Sequence, residues 1–192
     1  MGTNPEVRRE LCALRCLKDV FVNLIFRWFD QTPRRVLAAL CVACIGLLGF
    51  GMYLQHVVGL EPCPMCIVQR YALILIAACA GLTAFSGRKG IHIAGGLLLM
   101  VLAVAGAYVA ARQSWLQWYP PEVASCGRDL YGIIETFPLQ RAIPMIFRGG
   151  GDCTKVDWTF LGGSIANWSF LWFFAMALAG AVLTWRAARK AR

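Results

Sequence analysis

The sequence predicts an all-α membrane fold, a bundle of four transmembrane helices. Three observations carry this reading. Apolar residues make up 59% of the 192-residue chain, against about 45–50% in soluble domains. Only 15% of residues are charged, and the mean hydropathy is +0.60. Finally, the apolar residues gather into four runs of spanning length. A chain this small leaves much of its surface exposed and cannot hide such an excess. The same composition excludes a disordered polar chain.

The first 35 residues are basic and interrupted, with Arg8, Arg9, Arg15, Lys18, Arg27, Arg34 and Arg35 among bulky aromatics. A cleavable signal has a short basic start, an uninterrupted apolar stretch and small residues at the cut. This segment has none of that order, and 17–29 reads as an amphipathic helix lying on the membrane. The spans follow at 36–55, 67–85, 91–111 and 168–185. At 1.5 Å per residue each reaches about 30 Å, the thickness of a hydrocarbon core. Scattered Gly and Ala let such helices approach closely. Trp115, Trp118, Tyr119, Trp158, Trp168, Trp172 and Trp185 fall at or near span ends, as interfacial aromatics do. A basic tail, 186–192, closes a chain that reads as one membrane domain, 36–185, with an N-terminal extension at 1–35.

Basic residues also set the orientation. Besides the first 35 residues they concentrate at Arg88 and Lys89 and at Arg186, Arg189, Lys190 and Arg192. The link 56–66 has no Lys or Arg, and the loop 112–166 balances five basic against five acidic residues. The positive-inside rule therefore places both termini in the cytoplasm and the two remaining loops outside. The outer loop between the third and fourth spans is long, and 139–147 within it is apolar enough to rest on the membrane surface.

Orientation sorts the nine cysteines. Cys12 and Cys16 fall in the cytoplasm, and Cys41, Cys44 and Cys79 inside spans, where Cys acts as a small hydrophobe. Cys63, Cys66, Cys126 and Cys153 lie outside, where disulfides persist. Cys63-Pro64-Met65-Cys66 is a C-x-x-C at the start of the second span. There one sulfur can attack a disulfide and the other resolve it, while a helix N-terminus favours a thiolate. Arg70, one turn further on, is costly in an apolar span and marks a functional position; its guanidinium suits a thiolate or an anionic ligand oxygen. A static structural bridge and a four-thiolate zinc site remain as alternatives. Zinc is disfavoured because Cys126 and Cys153 are not the close pair such sites use.

These features together resemble the disulfide bond formation protein B (DsbB) family of bacterial inner-membrane thiol oxidases. The resemblance covers about 35–185. It rests on Gln55-His56-Val57, Pro62-Cys63-x-x-Cys66-Ile67-x-x-Arg70, Leu116-Gln117-x-Tyr119-Pro120, Gly151-Asp152-Cys153 and Phe160-Leu161-Gly162. It implies an electron relay that reoxidises a periplasmic thioredoxin-fold oxidant, DsbA, and reduces a membrane quinone, ubiquinone or menaquinone. By motif, disulfides would join Cys63 to Cys66 and Cys126 to Cys153. The partner would attack at Cys126, Cys153 would attack Cys63, and Cys66 beside Arg70 would meet the quinone. Some members carry a His at the quinone end of the third span; here the position is Gln113, which donates a hydrogen bond but does not titrate. No metal is expected. The vitamin K epoxide reductase family also couples a C-x-x-C to a quinone on a membrane bundle, and a non-enzymatic membrane subunit with structural disulfides is the remaining rival.

Overall fold

The computed structural model describes residues 33–86, 88–120 and 151–189. Cys12, Cys16 and Cys126, and the expected membrane-surface segments at 17–29 and 139–147, lie outside them. Four long helices dominate: α1 (Pro33–His56), α2 (Pro64–Phe85), α3 (Lys89–Trp118) and α5 (Ile165–Arg189). Each is long and apolar enough to cross a membrane. Before α5 come a single turn, α4 (Gly151–Thr154), and a two-stranded antiparallel hairpin, β1 (Thr159–Phe160) and β2 (Gly163–Ser164).

The helix ends follow local chemistry. Pro64 opens α2, at a position where a missing N–H costs nothing. Cys63 caps α2 in an extended conformation, so Cys66 sits in the first turn. Gly59, at φ +80°, turns the chain out of α1. The hairpin turns through Leu161 and Gly162, at φ 49° and 78°, the positive angles that a two-residue hairpin turn requires. Trp168 then ties the hairpin to α5 by donating its indole N–H to the Phe160 carbonyl at 2.9 Å.

Helix α3 runs to Trp118, seven residues beyond the 91–111 stretch that hydropathy delimits. Its 30 residues make a rod about 45 Å long, so its last two turns, with Gln113 and Gln117, continue the span into what the sequence reads as loop. At the other end of the chain, α5 continues through Arg186 to Arg189, whose guanidinium lies 3.8 Å from the centre of the Trp185 ring.

Packing follows the order of the chain: α1 lies against α2, α2 against α3, and α3 most extensively against α5. That last contact depends on small residues. A Cβ on Gly180 would come within 3.0 Å of the Gly96 carbonyl oxygen, and one on Gly106 within 2.5 Å of the Phe173 ring. Membrane helices associate through such close approaches rather than through hydrophobic burial. The core holds Leu37, Ile76, Leu99, Phe173 and Met176, while Val42, Leu82 and Phe85 face outward at 68%, 75% and 91% exposure. An exterior this apolar suits lipid rather than water.

Candidate redox site

The site forms at the end of the bundle where the link 57–63 joins α1 to α2. Cys63, as the cap of α2, is buried; Cys66, in the first turn, is half-buried and faces a cavity. Their sulfurs are 3.1 Å apart, with Cys63 donating to Cys66. The α2 N-terminus adds backbone N–H groups without helical partners and the positive end of the helix dipole.

Cys153 arrives from α4. It is 1% exposed and packs in one cluster with Cys63, Met65, Val109 and Leu116. Hydrogen bonding to the Cys153 and Cys66 thiols, together with burial, pushes the Cys63 thiol above its ordinary range. Cys63 therefore holds its proton and presents it to Cys66. Three of the four cysteines expected to carry electrons are thus adjacent, although Cys66 and Cys153 are 87 positions apart in sequence. Cys126, the fourth, lies outside the described residues.

Gln113, from the extended part of α3, donates from Nε2 to both sulfurs, at 3.4 Å to Cys63 and 3.2 Å to Cys66. Its Oε1 accepts a 2.7 Å bond from Nε2 of Gln69 on α2. Both amides are buried, at 4% and 5% exposure. Sequence reading assigned no role to Gln69, although a polar side chain three residues after Cys66 in an apolar span was a visible signal.

Arg70 shares the cavity with Cys66, but its hydrogen bonds run to α1. Nη1 donates to Oε1 of Gln55 and Nη2 to the Gly51 carbonyl at 3.0 Å, and Nη1 lies 3.9 Å from the Met52 sulfur. All three partners are uncharged, and the guanidinium shares the cavity lining with Glu61 and Asp157. Gln55 therefore acts as a second residue of the site that carried no assigned role in the sequence. Further out, Ser164 donates to Gln117 Oε1 at 2.6 Å, joining the hairpin to α3.

The cavity itself measures about 650 Å³, within the range of small-molecule sites. Its polar lining includes Cys63, Cys66, Gln69, Arg70 and Gln113 together with Glu61, Lys155 and Asp157; its apolar lining includes Leu47 and Phe50 of α1 and Trp168, Trp172 and Phe173 of α5. Cys41, Cys44 and Cys79 take no part in it. Cys44 is buried with its thiol 3.7 Å from the Met176 sulfur, and Cys79 points at the Gly95 carbonyl. Among the described residues, no group of three or more His, Cys, Asp or Glu is arranged to hold a metal ion.

Residues 33–183 match the family model described as disulfide bond formation protein DsbB. The chain belongs to the DsbB family. Curated relatives named disulfide bond formation protein B agree over most of their length. One from Albidiferax ferrireducens is 69% identical over 85% of this chain and 94% of its own. Another from a Polaromonas species is 68% identical over 87% and 99%, and a third from an Acidovorax species 64% over 87% and 96%. This DsbB chain is accordingly a multi-pass membrane protein of a disulfide-forming oxidoreductase family.

Proposed function

We propose that the protein reoxidises a DsbA-like thioredoxin-fold partner and passes the electrons to a membrane quinone, with Cys63, Cys66, Cys126 and Cys153 as the redox residues. One observation supports this reading most: Cys153 packs in one cluster with Cys63, and Cys63 and Cys66 line an apolar-walled cavity that also carries Arg70 and Gln113. By the distribution of basic residues this end faces the periplasm of a bacterial inner membrane, with both termini cytoplasmic.

The relay is thiol–disulfide exchange throughout. A thiolate of the reduced partner attacks Cys126 of a Cys126–Cys153 disulfide and releases Cys153. The partner's second thiol then displaces Cys126 and leaves with its own disulfide. Cys153 attacks Cys63 of the Cys63–Cys66 disulfide and releases Cys66 as a thiolate. Cys126 then displaces Cys63 from Cys153, restoring the Cys126–Cys153 disulfide. The second disulfide is thereby reduced to a dithiol, which holds the two electrons and two protons taken from the partner. Cys66 is the sulfur equipped to carry the charge, because the Cys63 thiol and the Gln113 amide both direct protons toward it.

The residues fit a quinone on their donor chemistry. Arg70 and the amides of Gln69 and Gln113 suit its carbonyl oxygens, and the aromatic and aliphatic side chains of α1 and α5 suit its ring and tail. When bound, it supplies a two-electron, two-proton acceptor, so that partner dithiol and quinone become partner disulfide and quinol. The partner is already a strong oxidant, near about −120 mV, so the net drive comes from the acceptor rather than from the sulfur exchange.

Purified full-length protein in detergent, supplied with a reduced thioredoxin-fold protein and a quinone, tests the reading by loss of quinone absorbance. Turnover with wild type and none with Cys66→Ser supports it. No turnover with wild type, or unchanged turnover with Cys66→Ser, overturns it.

A further inference from the structure

We propose that Gln69 is a positioning residue for the sulfur pair: it sets the rotation of the Gln113 carboxamide so that both amide protons of Gln113 face Cys63 and Cys66. This deepens, and rests on, the relay proposed above.

A carboxamide has two nearly isosteric ends of opposite polarity. In one orientation Gln113 gives an N–H to each sulfur; after a half-turn about its last torsion it would aim a carbonyl oxygen at them. Nothing in the shape of Gln113 alone selects between the two. The selection comes from Gln69, whose Nε2 stands 2.7 Å from Gln113 Oε1. An N–H in that place can donate only to the oxygen of Gln113. With the oxygen held there, Nε2 is directed to Cys66 at 3.2 Å and Cys63 at 3.4 Å.

The two protons on one nitrogen match the two sulfurs. Negative charge moves between sulfurs as the disulfide opens, and a donor bridging both stabilises it at either end without moving. The geometry also explains why two amides lie buried together in an apolar bundle: an unpaired buried amide is costly, and here each has a partner. Gln69 reaches the sulfurs only through Gln113, so it acts by positioning. Among the described residues, the other titratable or charged groups around this cavity are Glu61, Cys63, Cys66, Arg70, Lys155 and Asp157, with Cys153 behind Cys63.

The test uses the full-length protein in detergent, reduced with dithiothreitol, and follows alkylation of Cys66 by iodoacetamide with mass spectrometry across pH. Quinone turnover is measured in parallel. Gln69→Leu should slow alkylation of Cys66 at neutral pH about tenfold, the scale of losing one hydrogen bond to a charged group. Gln69→Glu separates positioning from packing. Its protonated carboxyl can donate to Gln113 Oε1, whereas its carboxylate cannot. In this variant turnover relative to wild type should therefore approach unity at low pH and fall as pH rises. Repulsion and desolvation by the carboxylate would persist in the double variant Gln69→Glu/Gln113→Leu, whereas positioning acts only through Gln113, so the part of the pH dependence due to positioning should vanish there. Wild-type alkylation in Gln69→Leu, together with a Gln69→Glu profile parallel to wild type, overturns the proposal. If instead alkylation depends on Gln69 as described but wild type reduces no quinone, the positioning stands and the relay falls.

Discussion

The chain contains two C-x-x-C motifs, and they differ in everything except spacing. Cys41 and Cys44 lie in the middle of α1. Cys44 is fully buried among apolar side chains, and the nearest polar contact of its thiol is the Met176 sulfur at 3.7 Å. Cys63 and Cys66 lie at a helix start, with sulfurs 3.1 Å apart. They are supplied with an amide donor from α3 and a neighbouring thiol from α4, and Cys66 lines a cavity together with the Arg70 guanidinium. The spacing places two sulfurs on one side of a helix turn, but reactivity comes from donors, access and a route for the electrons. The first motif has none of these, so its sulfurs serve as packing.

Substitutions can break or sharpen this contrast. The largest effect is expected from Cys66→Ser, which should abolish quinone reduction, while Cys41→Ala and Cys44→Ala leave it unchanged in the same absorbance assay. Arg70→Gln should lower kcat/KM for the quinone about a hundredfold, the scale of losing a preorganised charged donor. The rate of thiol exchange with the partner, read by gel shift of trapped mixed disulfides, should stay near wild type. Gln113→Leu should reduce turnover about tenfold by removing the bond to a charged sulfur, with a matching fall in Cys66 alkylation at neutral pH. Smallest is Cys44→Ala. It should leave turnover intact and cost about 1 kcal/mol of stability from the small void beside Met176, seen as a lowered midpoint of thermal unfolding in detergent.

Much of this was legible in the sequence. Four apolar runs gave the spanning helices, and sorting cysteines by side singled out Cys63, Cys66 and Cys153, which lie together, along with Cys126, which falls outside the described residues. Hydropathy stopped at residue 111 because Arg112, Gln113 and Ser114 are polar, yet polarity does not end a helix. Residues 112–119 contain no Pro or Gly, and the helix carries Gln113 onward to the sulfurs. Arg70 was legible as an exceptional charge, but its partners were not: its reach across to Gly51 and Gln55 depends on how α1 lies against α2. The Gln69 and Gln113 pair joins residues 44 positions apart, and no periodicity along either helix announces such a pair. The place of Cys153 behind Cys63 likewise depends on α4 packing against α3.

The length of α3 has a consequence for the lipid. A rod of about 45 Å in a core of about 30 Å cannot be wholly immersed. Gln113 therefore rides at a height set by residue count and helix tilt. Thickening the bilayer would draw the sulfur centre toward hydrocarbon, and thinning it would lift the centre toward water, at a cost of fractions of a kcal/mol per Å. Acyl-chain length thus enters the chemistry as a physical variable, and vesicles of graded chain length offer a way to tune the enzyme without changing an atom of it.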